Sequence, residues 1–228
     1  MQNIKHIVIF SHGFGVKKDD RGIFSGEYGI AEELSKYNIM TILFDYYYFN
    51  DENSTLKICP FSEQAEKLKN IFKETKKEYP DSIIDIIGHS QGTLIPSLAN
   101  MDGVRKTILL APVFDMSIER TLNRYIKNPE THFDFDGESR LPIIDGYTRI
   151  IPKDYWIERK NVDAFDLYNN YSSKTDLVLI NAKQDTILGE SDLSGLNKNI
   201  EILSLDGDHQ FSGEARSELI NQIKKLIL

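Results

Sequence analysis

The segment IIDIIGHSQGTLIPSLA, Ile83 to Ala99, passes from an apolar run into a helical pattern and places Ser90 between two glycines at the join. Gly88-His89-Ser90-Gln91-Gly92 fits G-x-S-x-G. With a strand before it and a helix after it, this motif forms a sharp turn that strains the serine backbone and pushes its Oγ outward. Gly88 and Gly92 are then small because neighbouring backbone passes close by. The free N–H groups that open the helix favour negative charge at the same spot. Such a serine is a candidate nucleophile, but it needs a base, and the base needs an orienting carboxylate. These partners are expected later in the chain, acid before histidine, on loops at the carboxyl ends of strands. Asp185 follows the run Leu177–Ile180 in NAKQDTIL, and His209 follows Ile200–Leu205 in DGDHQF.

The rival residues are weaker. His6 lies at the wrong end of the first apolar run, and His89 sits inside the turn with its side chain expected to point away from Ser90. His132 belongs to an irregular region, where a surface or pocket-lining role is the alternative. Asp206 and Asp208 adjoin His209 in sequence and would have difficulty facing its far nitrogen, and Asp192 starts the next turn. The competing reading of His209 is an exposed loop histidine; the ordered set of serine, acid and histidine favours catalysis. Cys59, the only cysteine, lies in KICPF without strand-to-helix context and reads as structural.

Attack on a carbonyl also needs donors for the oxyanion. The first apolar run ends in FSHGFG, residues 10–15. The backbone N–H of Phe14 and that of Gln91 are the candidates, with Gly13 and Gly15 letting the chain turn toward the site. Ser11 and His12 are adjacent at a strand end and point opposite ways, so they are discounted as a dyad. The stretch has neither G-x-G-x-x-G nor GK[ST], which argues against nucleotide binding.

The elements that must hold these groups are short apolar, β-branched runs: Ile4–Phe10, Met40–Phe44, Ile83–Ile87, Thr107–Leu110, Leu177–Ile180 and Ile200–Leu205. Most lack polar alternation, which suits strands covered on both faces of a parallel sheet. Residues 61–79 and 212–228 carry helical spacing between or after them. Strands alternating with helices predict right-handed crossovers and a doubly wound, mostly parallel α/β sheet. From about 112 to 173 the rhythm breaks, and the segment is rich in aromatic residues. Within it, RLPIIDGYTRII reads as a β-hairpin with Asp145-Gly146 in a type I′ turn. We read one domain over 1–228 with an inserted cap at about 112–173. Most of the cap aromatics are expected to form a small core. Tyr47, Phe133, Tyr155 and Trp156 are candidates to line an apolar substrate pocket above Ser90.

Together these features resemble the α/β-hydrolase family over nearly the whole chain. HGF at 12–14, GHSQG at 88–92, LLAP at 109–112 and a compact insertion with a hairpin resemble small bacterial cinnamoyl/feruloyl esterases. The resemblance implies an α/β-hydrolase fold, with Ser90, Asp185 and His209 as triad, Phe14 and Gln91 as oxyanion donors, and a cap that contacts the acyl group. Two departures bear on the substrate. The turn after the second strand is the aromatic FDYYYFNDENS rather than a glycine-containing one, and the acid follows NAKQ rather than the usual HGxx.

The expected activity is hydrolysis of a small-molecule carboxylic ester through an acyl-enzyme, a chemistry that needs no cofactor and no metal. A thioesterase, amidase or acyltransferase would use the same triad, and a non-catalytic binding protein could share the fold. The bulk composition agrees. With 228 residues, 40% hydrophobic and 27% charged, the chain can bury a core without disulfides. Its net charge of −8 argues against a nucleic-acid partner. The lysines between Lys67 and Lys77 alternate with glutamates and read as a solvated helix face. The apolar run near the amino terminus is too short for a signal peptide, and no stretch is long enough for a membrane span. A cytoplasmic protein is expected, and a homodimer is compatible with the sequence.

Overall fold

The computed structural model describes residues 4–18, 22–142 and 146–228. In chain order it forms β1 (His6–Ser11), α1 (Ile30–Ser35), β2 (Met40–Ile42), β3 (Tyr48–Asn50), β4 (Thr55–Lys57) and α2 (Phe61–Glu78). Then come β5 (Ile83–His89), α3 (Leu94–Ala99), β6 (Lys106–Leu110), α4 (Ile118–Tyr125), β7 (Glu138–Pro142) and β8 (Thr148–Pro152). The chain closes with α5 (Lys153–Lys160), α6 (Ala164–Tyr171), β9 (Asp176–Ala182), β10 (Glu201–Leu205) and α7 (Glu214–Ile227).

Six strands pair in the order β10-β9-β6-β5-β1-β2, and every neighbour runs parallel. The apolar runs explain why. Side chains alternate between the faces of a strand, so a run without polar residues needs cover on both. In β1, Ile7 and Ile9 enter one core while Val8 and Phe10 enter the other. In β9, Leu177 and Leu179 face the first core and Val178 and Ile180 the second. Helices α2, α3 and α6 supply the first core, and α1 and α7 the second. Among the described residues, no helix is long and apolar enough to cross a membrane.

From β1 the chain adds β2 on one side and then β5 on the other, so the winding reverses at β1. The crevice beyond the carboxyl ends of the strands at such a reversal is where ligands bind on open parallel sheets. FSHGFG leaves β1 and Ser90 leaves β5 at this crevice. At the opposite end, the fully buried Asp85 is ion-paired to Arg105 and lies 2.8 Å from His6 Nε2. His6 therefore braces the amino ends of the strands.

A second, four-stranded sheet has the order β3-β4-β8-β7. β7 and β8 are antiparallel, Glu138 opposite Pro152 and Pro142 opposite Thr148. Gly146 has φ +93°, while residue 145, the other half of the expected turn, falls outside the described residues. The sequence expectation for this layer needs a correction. It is not built from 112–173 alone, because β4 pairs in parallel with β8 and β3 pairs with β4. Residues 48–57, ahead of the expected insertion, thus contribute two of the layer's four strands, and the aromatic stretch FDYYYFNDENS holds the first of them.

Candidate active site

β5 runs through His89, and a 3₁₀ turn follows at once over Ser90–Thr93, continuing into α3. Ser90 adopts φ +54°, a left-handed conformation that costs a non-glycine residue about 1–2 kcal/mol. The glycines on either side show what makes the turn sharp. A Cβ on Gly88 would lie 2.6 Å from the Gly92 carbonyl oxygen, and one on Gly92 would lie 2.1 Å from that of Ser11. The 3₁₀ turn that leads into α3 is thereby seated directly against the end of β1.

The strand ends bring three side chains together. His209 Nε2 lies 3.0 Å from Ser90 Oγ, and His209 Nδ1 lies 2.7 Å from Asp185 Oδ2. With the Nδ1 proton donated to the carboxylate, Nε2 is free to accept from the serine hydroxyl. Asp185 Oδ1 accepts from the N–H groups of Ile187 and Leu188, each at 2.8 Å. Burial alone would raise the Asp185 carboxyl. The His209 bond and the Leu188 and Ile187 amides outweigh it and hold the pKa below the ordinary carboxylate value. The rival acids are engaged elsewhere: Asp206 with Lys183, Asp208 with the N–H groups of Gln210 and Ser212, and Asp192 with that of Ser194.

The loop after β1 abuts the serine. A Cβ on Gly13 would lie 3.2 Å from Ser90 Cβ, closer than an ordinary contact, and 3.7 Å from its Oγ, so the backbone here lies directly against the serine. Phe14 follows. Gln91 is clamped by its side chain: Oε1 accepts from Tyr155 at 2.6 Å and Nε2 donates to Tyr47 at 3.2 Å. These bonds fix the peptide that carries the Gln91 N–H. Ser11 is buried beneath, donating to the Gly92 carbonyl at 2.7 Å and contacting Tyr46. Cys59 is also buried, and burial pushes its thiol up to about 12, so it is no nucleophile.

Two histidines outside the relay hold the site in shape. His89 Nε2 donates to the backbone carbonyl of His209 at 2.8 Å, anchoring the loop that carries the His209 ring. No sequence signal pointed to this contact, which spans the distance from β5 to the loop after β10. His12 Nδ1 donates to the Gly13 carbonyl at 3.0 Å, and its Nε2 accepts from the Tyr46 N–H at 3.1 Å. That pair of contacts requires the neutral ring. Burial drives His12 down to about 4 and His89 to about 3 from an ordinary 6.5.

A pH dependence follows. The unfolded chain protonates both rings as pH falls through 6.5, and the folded chain only near 4 and 3. Stability is therefore full above pH 6.5 and declines as pH falls below it. At pH 5 each ring is expected to cost about 2 kcal/mol, together lowering Tm by about 10 °C. Thermal unfolding by circular dichroism at pH 7.5 and 5 checks this, and equal melting temperatures would contradict it.

Ser90 opens into a cleft of about 90 Å³, whose walls include Phe14, Gln91, Tyr155, Arg120, Arg124 and Arg159. The expectation of an apolar pocket is corrected here, because three guanidinium groups share the wall. Of the four aromatic candidates, only Tyr155 lines the cleft. Tyr47 is buried under Gln91. Trp156 is 1% exposed and donates to Ser139 Oγ, and Phe133 stacks with Phe135 beside it. Both were attracted to the small core because large rings bury more apolar area there. A larger cavity, about 380 Å³, is lined by His12 and His89 among others, and Ser90 is not on its wall.

No protein-family model and no curated protein sequence matches the chain. Solved structures do. Est1E from Butyrivibrio proteoclasticus with ferulic acid bound superposes with a TM-score of 0.71 at 17% identity, over 98% of this chain and 88% of that one. An esterase from Pyrococcus furiosus gives 0.60 at 18% identity, over 99% and 84%. Alpha/beta hydrolase domain-containing protein 10 from mouse gives 0.61 at 17%, over 97% and 89%. With its parallel sheet, its reversal at β1 and these likenesses along nearly its full length, the chain has the α/β-hydrolase fold.

Proposed function

We propose that the protein is a serine hydrolase that cleaves a small-molecule carboxylic ester through an acyl-enzyme on Ser90. The observation that carries this reading is the continuous relay Asp185–His209–Ser90, at 2.7 and 3.0 Å, beside the bare backbone of Gly13. Several structures of like fold are esterases by name, which supports an ester as the substrate.

In this reading His209 Nε2 takes the Ser90 proton as Oγ attacks the ester carbonyl. Asp185, held ionised by its amide and imidazole partners, stabilises the imidazolium and keeps its orientation. The N–H groups of Phe14 and Gln91 receive the negative charge that develops on the carbonyl oxygen. Collapse expels the alcohol, which takes the proton from His209. Water then adds to the acyl-enzyme with His209 again as base. The acid is released and the proton returns to Ser90. Tyr47 and Tyr155 act through Gln91, as positioning residues.

A fluorophosphonate probe tests the nucleophile directly. Ser90 Oγ should displace fluoride from phosphorus, adding the phosphonyl mass to one peptide that contains residue 90. The adduct should be absent from Ser90→Ala. Intact mass unchanged after prolonged exposure of the folded protein would refute the proposal.

A further inference from the structure

The arginines around Ser90 are unusual for this chain. It holds eight arginines and a net charge of −8, yet three of the eight line the cleft that contains the serine, and among the described residues no Asp or Glu shares that wall. Arg120 and Arg124 lie one turn apart on α4, where like charges repel. Arg159 comes across from α5. Among the described residues, the carboxylates that act on Arg120 are those of Asp115 and Asp185, and Asp115 also faces Arg159. Arg120 reaches Asp115 only at 3.8 Å, and that carboxylate is already bonded to the Ser117 N–H and hydroxyl. Arg159 is 5% exposed; it donates to the Ser117 carbonyl at 3.2 Å while its Nε finds no hydrogen-bond partner among the described residues. Arg124 stands at the mouth with no ion pair among the described residues. Burial depresses the Arg120 guanidinium, and the attraction of Asp115 does not restore it.

Guanidinium groups that have lost water and outnumber the carboxylates beside them are costly, because their charge is only partly compensated. A ligand bearing an anion removes that cost, and guanidinium forks match a carboxylate in geometry. From this juxtaposition we infer that the cleft takes an ester carrying a free carboxylate a short chain away from the scissile carbonyl, with Arg120 and Arg159 receiving it and Arg124 drawing it in. A cleft of about 90 Å³ has room for a short arm and not for a bulky one. The inference rests on the esterase reading above and names its substrate class.

Paired chromogenic esters test it. The p-nitrophenyl hemiester of glutaric acid places the carboxylate on the acyl side, and a carboxyphenyl butyrate places it on the alcohol side. p-Nitrophenyl butyrate and phenyl butyrate are their neutral references. At least one carboxylated ester should exceed its reference in kcat/KM by tenfold or more, and the arm that does so identifies the side. Arg120→Gln should lower that ratio by about tenfold, the loss of one charged hydrogen-bond donor. Arg124→Glu, a change at an exposed position that leaves the core untouched, should lower it as well. Ratios near one in the native protein, or ratios unmoved in both variants, would overturn the inference. Calorimetry with monomethyl glutarate on Ser90→Ala separates the two proposals. Binding that weakens in Ser90→Ala/Arg120→Gln supports the arginine site even if no ester is turned over. Turnover of neutral esters without such binding supports the esterase reading alone and refutes the carboxylate.

Discussion

Ser90→Ala is expected to lower kcat on p-nitrophenyl butyrate by roughly 10⁴-fold or more, while the protein melts within a few degrees of the parent. The substitution removes one atom, the Oγ that lies 3.0 Å from His209. It keeps the Cβ, and so keeps the strain of φ +54°. His209→Ala should lose a similar factor, and the double variant should be no worse than either single one, because relay members act as a unit. Ser90→Gly separates activity from stability further. It is equally without a nucleophile but relieves the left-handed strain, and it should gain about 1 kcal/mol, or about 2–4 °C in Tm. Steady-state kinetics and thermal melts on the four variants check the pattern. A Ser90→Ala protein within tenfold of the parent rate would remove the nucleophile from the account.

Gly92→Ala is expected to be the most damaging change of a single methyl group. Its Cβ would stand 2.1 Å from the Ser11 carbonyl oxygen and 2.5 Å from that of His12. Both obstacles are backbone, and neither can swing aside as a side chain does. Either the turn before α3 lifts from β1 or the end of β1 bends. Overpacking of this severity costs about 3 kcal/mol or more, against a total of about 5–15 for a typical domain. Tm should fall by about 6–12 °C. The surviving folded fraction should also lose activity, because Gly13 and Phe14 follow directly on the displaced carbonyls. Gly213→Ala is the control. Its φ +62° and ψ −131° strain any side chain by about 1–3 kcal/mol, but no atom of the described residues stands within 4 Å of an added Cβ, so no steric cost adds to that strain. Comparable melts for the two variants would show that the seat of the turn before α3 on β1 is looser than described.

The central sheet was legible because its strands are buried on both faces, which leaves near-continuous apolar runs such as Ile83–Ile87. Ser90, Asp185 and His209 could be singled out because the chemistry restricts the residue types and the fold restricts them to strand ends. Strands β3 and β4 escaped notice for the opposite reason. Each is three residues long, and YFN and TLK carry no pattern without a partner 93 positions away, as in Thr55 against Thr148. IERTLNRY reads as a solvated, charged helix, and the meaning of Arg120 and Arg124 depends on which face turns toward Ser90. Trp156 and Phe133 announce burial but not which cavity they fill. His89 occupies a variable position of the serine motif, so its grip on the His209 carbonyl was invisible until the two loops were placed together.

The pairing of β4 with β8 also sets a schedule for assembly on the ribosome. The β3–β4 ribbon emerges early and must wait, with one edge open, until Thr148 and its neighbours have been synthesised. Nor can the upper layer be exchanged between relatives as one contiguous cassette. A graft of residues 112–173 alone would leave the ribbon facing a stranger's strand.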